Sequence, residues 1–132
     1  MRVMFDTNIL VSAIVFRSRL INDIIAIVAK KHTLVLCSYV IDELHEVIDE
    51  KFSCKKVEIE KFLYELPYEY IYTPDYLPPS LFPIRDEDDK NVLFSAILAD
   101  VDILVTGDKD FDDVDIERPE ILSPRTYVNK YG

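Results

Sequence analysis

Two short stretches decide the fold, VMFDTN at residues 3–8 and DILVTGD at residues 102–108. Each is an apolar run that stops at polar residues, and this pattern is typical of a buried β-strand that ends in a turn. Functional side chains of open α/β sheets lie beyond the carboxyl ends of the strands. Because Asp6 and Asp108 follow these two strands, we expect both carboxylates at one edge of a sheet.

The segments around these two stretches alternate between helical and strand patterns. Apolar residues recur at helical spacing in four segments, and Ser18, Ser38 and Ser53 stand where they could cap the second, third and fourth helices. The alternation predicts an α/β fold with a mainly parallel sheet and helices on both faces. The predicted helices cover 9–16, 20–32, 39–52, 56–66 and 86–98, the further strands 33–37, 70–72 and 121–122, and a terminal segment 126–131.

Length and composition limit the class of protein. The chain has 132 residues, of which 49% are hydrophobic, so we expect a single globular domain over residues 1–132. Gly107 and Gly132 are the only glycines, which excludes the glycine-rich phosphate loops G-x-G-x-x-G and G-K-[ST]. The sequence has no run of 18 uncharged apolar residues, so we expect no membrane span. Cys37 and Cys54 form no C-x-x-C pair, and we therefore expect a cytoplasmic location.

The net charge of −10 is concentrated in one part of the chain. Residues 86–120 contain 13 acidic and three basic residues, and the remaining residues balance. Such a segment is either a solvated acidic surface or a set of carboxylates that converge on divalent cations. Both explanations stay open on charge alone.

Four acidic positions are expected at the same edge of the sheet: Asp6, Glu43, Asp108 and an acid at the start of the fifth helix, Asp86, Asp88 or Asp89. Each has a simpler explanation as a helix cap, a turn residue or a partner of a helix dipole. Four neighbouring carboxylates would repel one another, however, and hard oxygen ligands suit Mg²⁺ or Mn²⁺. The two histidines stand apart from these motifs.

Four segments taken together resemble a PIN domain, with VapC-type toxins of toxin–antitoxin pairs as relatives. They are FDTNIL at 5–10, the acid at position 43, RDEDDKNVL at 85–93 and ADVDILVTGDKDF at 99–111. The resemblance implies a PIN-like, Rossmann-like three-layer α/β/α sandwich and a ribonuclease that depends on Mg²⁺ or Mn²⁺. It also implies RNA as substrate, a cognate antitoxin as partner, and a homodimer.

The resemblance assigns roles residue by residue. It implies that Asp6, Glu43, Asp89 and Asp108 are catalytic, with Asp6, Asp89 and Asp108 as metal ligands. Asp86 is the alternative to Asp89 as the third core acid. The resemblance further implies that side chains around the ligands orient them or a water molecule, and these supporting residues are Asn8, Thr106, Asp86 and Asp110.

Two alternatives to a ribonuclease remain. A PIN-like scaffold could bind RNA or an antitoxin without cutting. An aspartate-dependent phosphohydrolase also places an acid after the first strand, but that class expects D-x-D, and Asn8 stands at the second acidic position. Cleavage that depends on a divalent metal and is abolished by Asp6→Asn distinguishes the ribonuclease from the scaffold, and failure to trap a beryllofluoride adduct counts against the phosphohydrolase.

Overall fold

A central parallel sheet organises the protein in the computed structural model, which describes residues 1–74, 87–111, 114 and 116–132. The described part contains five strands, β1 (Arg2–Phe5), β2 (Thr33–Cys37), β3 (Glu69–Ile71), β4 (Ile103–Val105) and β5 (Glu120–Leu122). They lie in the order β3-β2-β1-β4-β5, and every neighbouring pair is parallel. The predicted α/β/α sandwich with a parallel sheet is therefore confirmed.

Six α-helices connect or follow these strands in the described residues: α1 (Thr7–Ile14), α2 (Arg19–Lys31), α3 (Ser38–Lys51), α4 (Lys56–Glu65), α5 (Glu87–Leu98) and α6 (Pro124–Tyr131). Asp6, Ser18 and Ser123 cap α1, α2 and α6 by accepting a backbone N–H three residues on. The terminal segment predicted at 126–131 is therefore part of α6. A serine followed by a proline, as found at the start of this helix, is a typical sequence signal for a helix N-terminus.

Two predicted caps are wrong. Ser38 is the first residue of α3 rather than its cap, and its hydroxyl accepts the backbone N–H of Thr73 at 2.9 Å. Ser53 begins a short 3₁₀ turn, and Lys55 stands before α4 without a capping side chain. Ser38 has another hydrogen-bond partner and Ser53 lies in a turn, so neither serine caps its predicted helix.

The central strands supply the middle of the hydrophobic core. Val3, Met4 and Phe5 in β1 and Leu104 and Val105 in β4 are completely buried. Full burial of a side chain of this size stabilises the fold by about 1.5–3 kcal/mol. The core continues into β5 and α6 through Leu122 and Tyr127. No helix in the described ranges has the length and apolar character needed to cross a bilayer.

The strand order places β1 and β4 at a switch point of the sheet. The chain moves from β1 outward through β2 to β3, and then returns to form β4 on the other side of β1. In open α/β sheets a crevice forms where the strand order reverses in this way. Asp6 follows β1 and Asp108 follows β4, so both acids lie at this crevice. We call this side of the sheet, where the strands end, the carboxyl edge.

The opposite side, where the strands begin, is here called the amino edge, and ion pairs hold it together. Arg2 forms a two-pronged contact with Glu69, at 2.6 and 3.2 Å. The backbone N–H of Arg2 donates to Asp102 at 2.7 Å, and Arg118 donates to the other oxygen of Asp102 at 2.5 Å. These contacts join the starts of β1, β3 and β4 to the segment before β5.

A candidate metal-dependent active site at the carboxyl edge

Asp6 is the centre of the candidate site. Its side chain is 6% exposed, although it directly follows the buried strand β1. One carboxylate oxygen accepts the backbone N–H of Ile9 at 3.1 Å, and the other accepts the hydroxyl of Thr106. An ionised carboxylate has about four acceptor positions. The two described hydrogen bonds therefore fix the orientation of Asp6 and leave acceptor capacity for another ligand.

Thr106 connects the two acids that follow the central strands. While its hydroxyl donates to Asp6, its oxygen accepts the backbone N–H of Asp108 at 3.1 Å. Thr106 itself is buried, and its backbone N–H donates to Leu122 of β5 at 2.9 Å. The threonine thus holds the turn after β4 against the end of β1, which is a positioning role for both carboxylates.

The pKa of Asp6 reflects a cluster of acids. Burial raises this pKa from 3.8 to about 6, while the hydrogen bonds from Thr106 and Ile9 act in the opposite direction. The negative charges of Asp108 and Glu43 raise it further. Both charged neighbours named here are acidic, so that an ionised Asp6 lies at a position that favours a cation.

Two helices carry the other predicted core acids, Glu43 and Asp89. Glu43 is half-buried on α3, one turn and a half after the end of β2, and its charge acts on Asp6. Asp89 is 8% exposed in the first turn of α5, and α5 packs against α3 and β2. A carboxylate in the first turn also complements the helix dipole, which is a structural reason for an acid at that position.

The supporting residues predicted from sequence have different outcomes. Thr106 contacts Asp6 directly, whereas Asn8 is exposed in the first turn of α1. The neighbouring Thr7 is buried instead, and its hydroxyl has no hydrogen-bond partner among the described residues. Asp86 lies outside the described residues, and the side chain of Asp110 does as well.

Sequence reasoning gave Thr7 no role at the site. No sequence signal distinguishes Thr7 from Asn8, because packing of α1 decides which of the two side chains is buried. Thr7 directly follows the central acid in the chain, and its buried hydroxyl has no hydrogen-bond partner among the described residues. An unsatisfied buried hydroxyl can donate to or accept from a bound ligand.

The donor set has the chemistry that Mg²⁺ or Mn²⁺ requires. Carboxylate and hydroxyl oxygens are hard ligands, and a dication would offset the mutual repulsion that raises the pKa of Asp6. In the described part of the chain, no three His, Cys, Asp or Glu side chains are close enough together to enclose a metal ion. Asp6, Asp108 and Glu43 supply oxygen ligands of the type that Mg²⁺ takes, and water can complete its coordination.

Two cavities lie beside the acids. One, of about 250 Å³, lies against Asp108 and Lys109 and reaches β5 and the start of α6. The other, of about 290 Å³, is lined by Tyr39, Asp42, Glu43 and Glu46 of α3. The first contains a lysine and the second contains three acids, so the two sides of the candidate site differ in the charge that they present.

Fold and site together define a class: an α/β sandwich with a cluster of acidic side chains at the switch point of a parallel sheet. The family model described as the PIN domain matches residues 2–110. The chain belongs to the PIN domain family.

A solved structure resembles the whole fold. The crystal structure of VapBC2 from Rickettsia felis bound to a DNA fragment from their promoter contains a chain that matches with a TM-score of 0.71. The match covers 93% of this protein and 98% of that chain, at 22% sequence identity. At this identity the likeness concerns the fold. Comparison with curated protein sequences gives no significant match.

Proposed function

We propose that this PIN domain, over residues 1–132, is an endoribonuclease that depends on Mg²⁺ or Mn²⁺ and hydrolyses RNA phosphodiester bonds. The observation that carries the proposal is the environment of Asp6. This buried carboxyl group has its pKa raised to about 6, and Asp108 and Glu43 contribute to the rise. A fold gains no stability from such an arrangement, since it places repelling charges in a poorly solvated position. A cation-binding role accounts for it.

The side chains of the site divide the work. Asp6, Asp89 and Asp108 would hold the metal, and Glu43 would accept a hydrogen bond from the attacking water and orient it. Thr106 keeps Asp6 and Asp108 in a fixed relation through its hydroxyl. The bound dication would lower the pKa of water and stabilise negative charge on the phosphodiester oxygens.

The charge distribution suggests that RNA binding depends on the divalent metal. The acidic segment alone would repel phosphates, and the protein carries −10 overall. A dication at the carboxyl edge neutralises part of this charge, and Lys109 supplies a positive group at the cavity beside Asp108. We therefore expect RNA affinity to be weak without divalent metal and to rise when it is added.

The biological role that we propose is the toxin of a toxin–antitoxin pair, acting in the cytoplasm as a homodimer with a cognate antitoxin as partner. The family match and the similarity of fold to a chain of the VapBC2 structure support this role. Exposed apolar side chains near α1 and on α4 also suit a protein partner; they are Phe16, Val57 and Tyr64.

The decisive experiment measures cleavage of single-stranded RNA with Mg²⁺, with Mn²⁺ and with EDTA. We expect cleavage only with a divalent metal, and we expect Asp6→Asn to fold and to lose both cleavage and the increase in melting temperature that the metal causes. Asp23→Asn is the matched control, because Asp23 is an exposed acid on α2. Cleavage by Asp6→Asn at the unmodified rate would contradict the proposed mechanism. Metal-independent RNA binding without cleavage would instead indicate a non-catalytic scaffold.

A further inference from the structure

Two exposed tyrosines lie at the end of the edge strand β3. Tyr70 is 45% exposed and Tyr72 is 82% exposed. Their rings contact each other edge to face, with 5.2 Å between centroids and an angle of 85°. Alternation along the strand places both on one face, since side chains two residues apart point the same way. Large aromatic surface is therefore presented to solvent rather than to the core.

The register of the sheet gives the position of this pair relative to the acids. Met4 lies beside Val35, and Cys37 lies beside Ile71. Continuing the first register places Asp6 level with Cys37, so that Ile71 is two strands away from Asp6. Neighbouring strands are about 4.7–4.9 Å apart, which gives roughly 10 Å between the two backbones. Tyr72 follows Ile71 and so lies at the carboxyl edge, roughly two strand spacings from Asp6.

The segment that carries Tyr72 is held in place. The backbone N–H of Thr73 donates to the hydroxyl of Ser38 at 2.9 Å, and the hydroxyl of Thr73 accepts the N–H of Tyr39 at 3.2 Å. The hydroxyls of Thr73 and the buried Ser95 are 2.9 Å apart. These bonds tie the end of β3 to α3 and α5. The exposed ring of Tyr72 thus projects from a fixed backbone and loses little conformational freedom on binding.

The surrounding charge selects which part of a nucleic acid fits this side. The cavity next to Glu43 is lined by Tyr39 and three acids. The negative charges of these acids repel phosphate. A nucleobase is uncharged and stacks on aromatic rings. The cavity with Lys109 lies across the site, after β4. A strand that crosses the acids would therefore turn its phosphates toward Lys109 and its bases toward the tyrosines.

We propose that Tyr70 and Tyr72 form a stacking platform for a base of the RNA next to the phosphodiester that is cut. This inference rests on the proposed nuclease function and adds to it two residues that position the substrate. A base can lie on the platform only if it is unpaired, because the bases of a duplex are stacked on each other. The platform therefore makes the site select single-stranded segments or loops.

The test compares three single variants: Tyr72→Ala, Tyr72→Phe and Tyr64→Ala. Tyr64 is the matched control, since it is a tyrosine on α4 with 91% exposure. Binding of a single-stranded RNA decamer that carries 2-aminopurine is measured by fluorescence in an Asp6→Asn background, so that the RNA stays intact. The protein is titrated to high concentration, because this background binds RNA without the help of the metal. Stacking contributes about 1–3 kcal/mol per base, so we expect Tyr72→Ala to weaken binding about 5- to 150-fold. Tyr72→Phe and Tyr64→Ala should bind like the parent.

Kinetics separate a substrate contact from a structural role. With Asp6 intact, Tyr72→Ala should raise KM for single-stranded RNA and leave kcat nearly unchanged, because stacking acts equally on the bound substrate and the transition state. A fall in kcat with unchanged KM would overturn the platform. So would unchanged binding by Tyr72→Ala, equal weakening by Tyr64→Ala, or equal affinity of the parent for the duplex form of the decamer.

The outcomes also separate this inference from the proposed function. If the protein binds the decamer through Tyr72 and never cuts RNA, the platform stands and the nuclease proposal fails. If Asp6→Asn abolishes cleavage while Tyr72→Ala leaves KM unchanged, the nuclease proposal stands and the platform is wrong.

Discussion

Both edges of the sheet carry acidic side chains, but their partners differ. At the amino edge, hydrogen bonds from the Arg2 backbone and from Arg118 lower the pKa of Asp102, and the Arg2 side chain lowers the pKa of Glu69. At the carboxyl edge, burial raises the pKa of Asp6 to about 6, and the charges of Asp108 and Glu43 raise it further. Acids paired with arginines stabilise a fold, whereas a buried acid near other acids costs stability. The comparison therefore separates carboxylates that stabilise the fold from those that we propose to act in the site.

The largest expected difference between the edges is the pH dependence that Asp6 gives to stability. Its pKa is higher in the folded protein than the ordinary value of 3.8, so the folded state holds the proton more tightly. Without metal, the free energy of unfolding should therefore fall as the pH rises from about 4 to about 6, by roughly 3 kcal/mol from this group. Asp6→Asn should not show this fall in the free energy of unfolding, because it has no carboxyl group at this position to titrate.

The measurement is urea unfolding of both proteins in EDTA at pH 4, 5, 6 and 7. The stability of Asp6→Asn relative to the parent should increase through this range and then level off. Comparing the two proteins removes the contributions of all other titrating groups. Parallel stability curves would mean that Asp6 is not in the acidic, buried environment that defines the carboxyl edge.

The next effect concerns the link between the two central acids. Thr106→Val keeps the shape of the side chain but removes the hydroxyl that bonds Asp6 and accepts the N–H of Asp108. Loss of a residue that orients ligands typically costs 10- to 100-fold in activity or metal affinity. We expect kcat for RNA cleavage to fall about that much, with Thr106→Ser restoring most of it. An equally active Thr106→Val would remove Thr106 from the site.

A smaller effect, on stability and not on activity, is expected at the amino edge. Asp102→Asn weakens bonds to the Arg2 backbone and to Arg118. We expect a loss of about 1–2 kcal/mol in the free energy of unfolding at pH 7, with kcat for RNA cleavage unchanged. Because the pKa of Asp102 is lowered, its contribution is present above about pH 4 and disappears as the pH falls further. A loss of cleavage without a loss of stability would break the distinction between the edges.

The smallest effect belongs to Glu69. Its ion pair with Arg2 is 2.6 Å long, but the side chain of Glu69 is 47% exposed. Exposed ion pairs contribute about 0–1 kcal/mol. Thermal unfolding of Glu69→Gln should therefore differ little from that of the parent, and the difference should shrink as salt is added. A large, salt-independent destabilisation would indicate that the Glu69 carboxylate has a further role.

The fold was predictable to a large extent because its signals are local. Runs such as Val3 to Phe5 and Ile103 to Val105 are continuously apolar, as is typical of strands that are buried on both faces of a sheet. Helix ends were less predictable. Ser38 has the right type for a cap, but Thr73, 35 residues further along the chain, occupies its hydroxyl. A contact between distant residues decided that local geometry.

The candidate site was predictable in part. The sequence predicted Asp6 and Asp108 at one edge of the sheet, and the structure puts their strands side by side and joins the two acids through Thr106. It did not distinguish the exposed Asn8 from the buried Thr7, and it gave no role to Tyr70 and Tyr72. Those assignments depend on which way each side chain faces, and the direction is set by packing against other elements.

From the sequence alone follow the order of strands and helices, the parallel sheet and the presence of acids after its central strands. These properties depend on residue type and on spacing along the chain, because the spacing of apolar residues decides whether a helix or a strand can bury them. Only the tertiary structure decided that Asp6 is buried among like charges while Asp102 is paired with arginines. Charges interact through space, so the cost or benefit of each acid depends on neighbours that folding brings from distant parts of the chain.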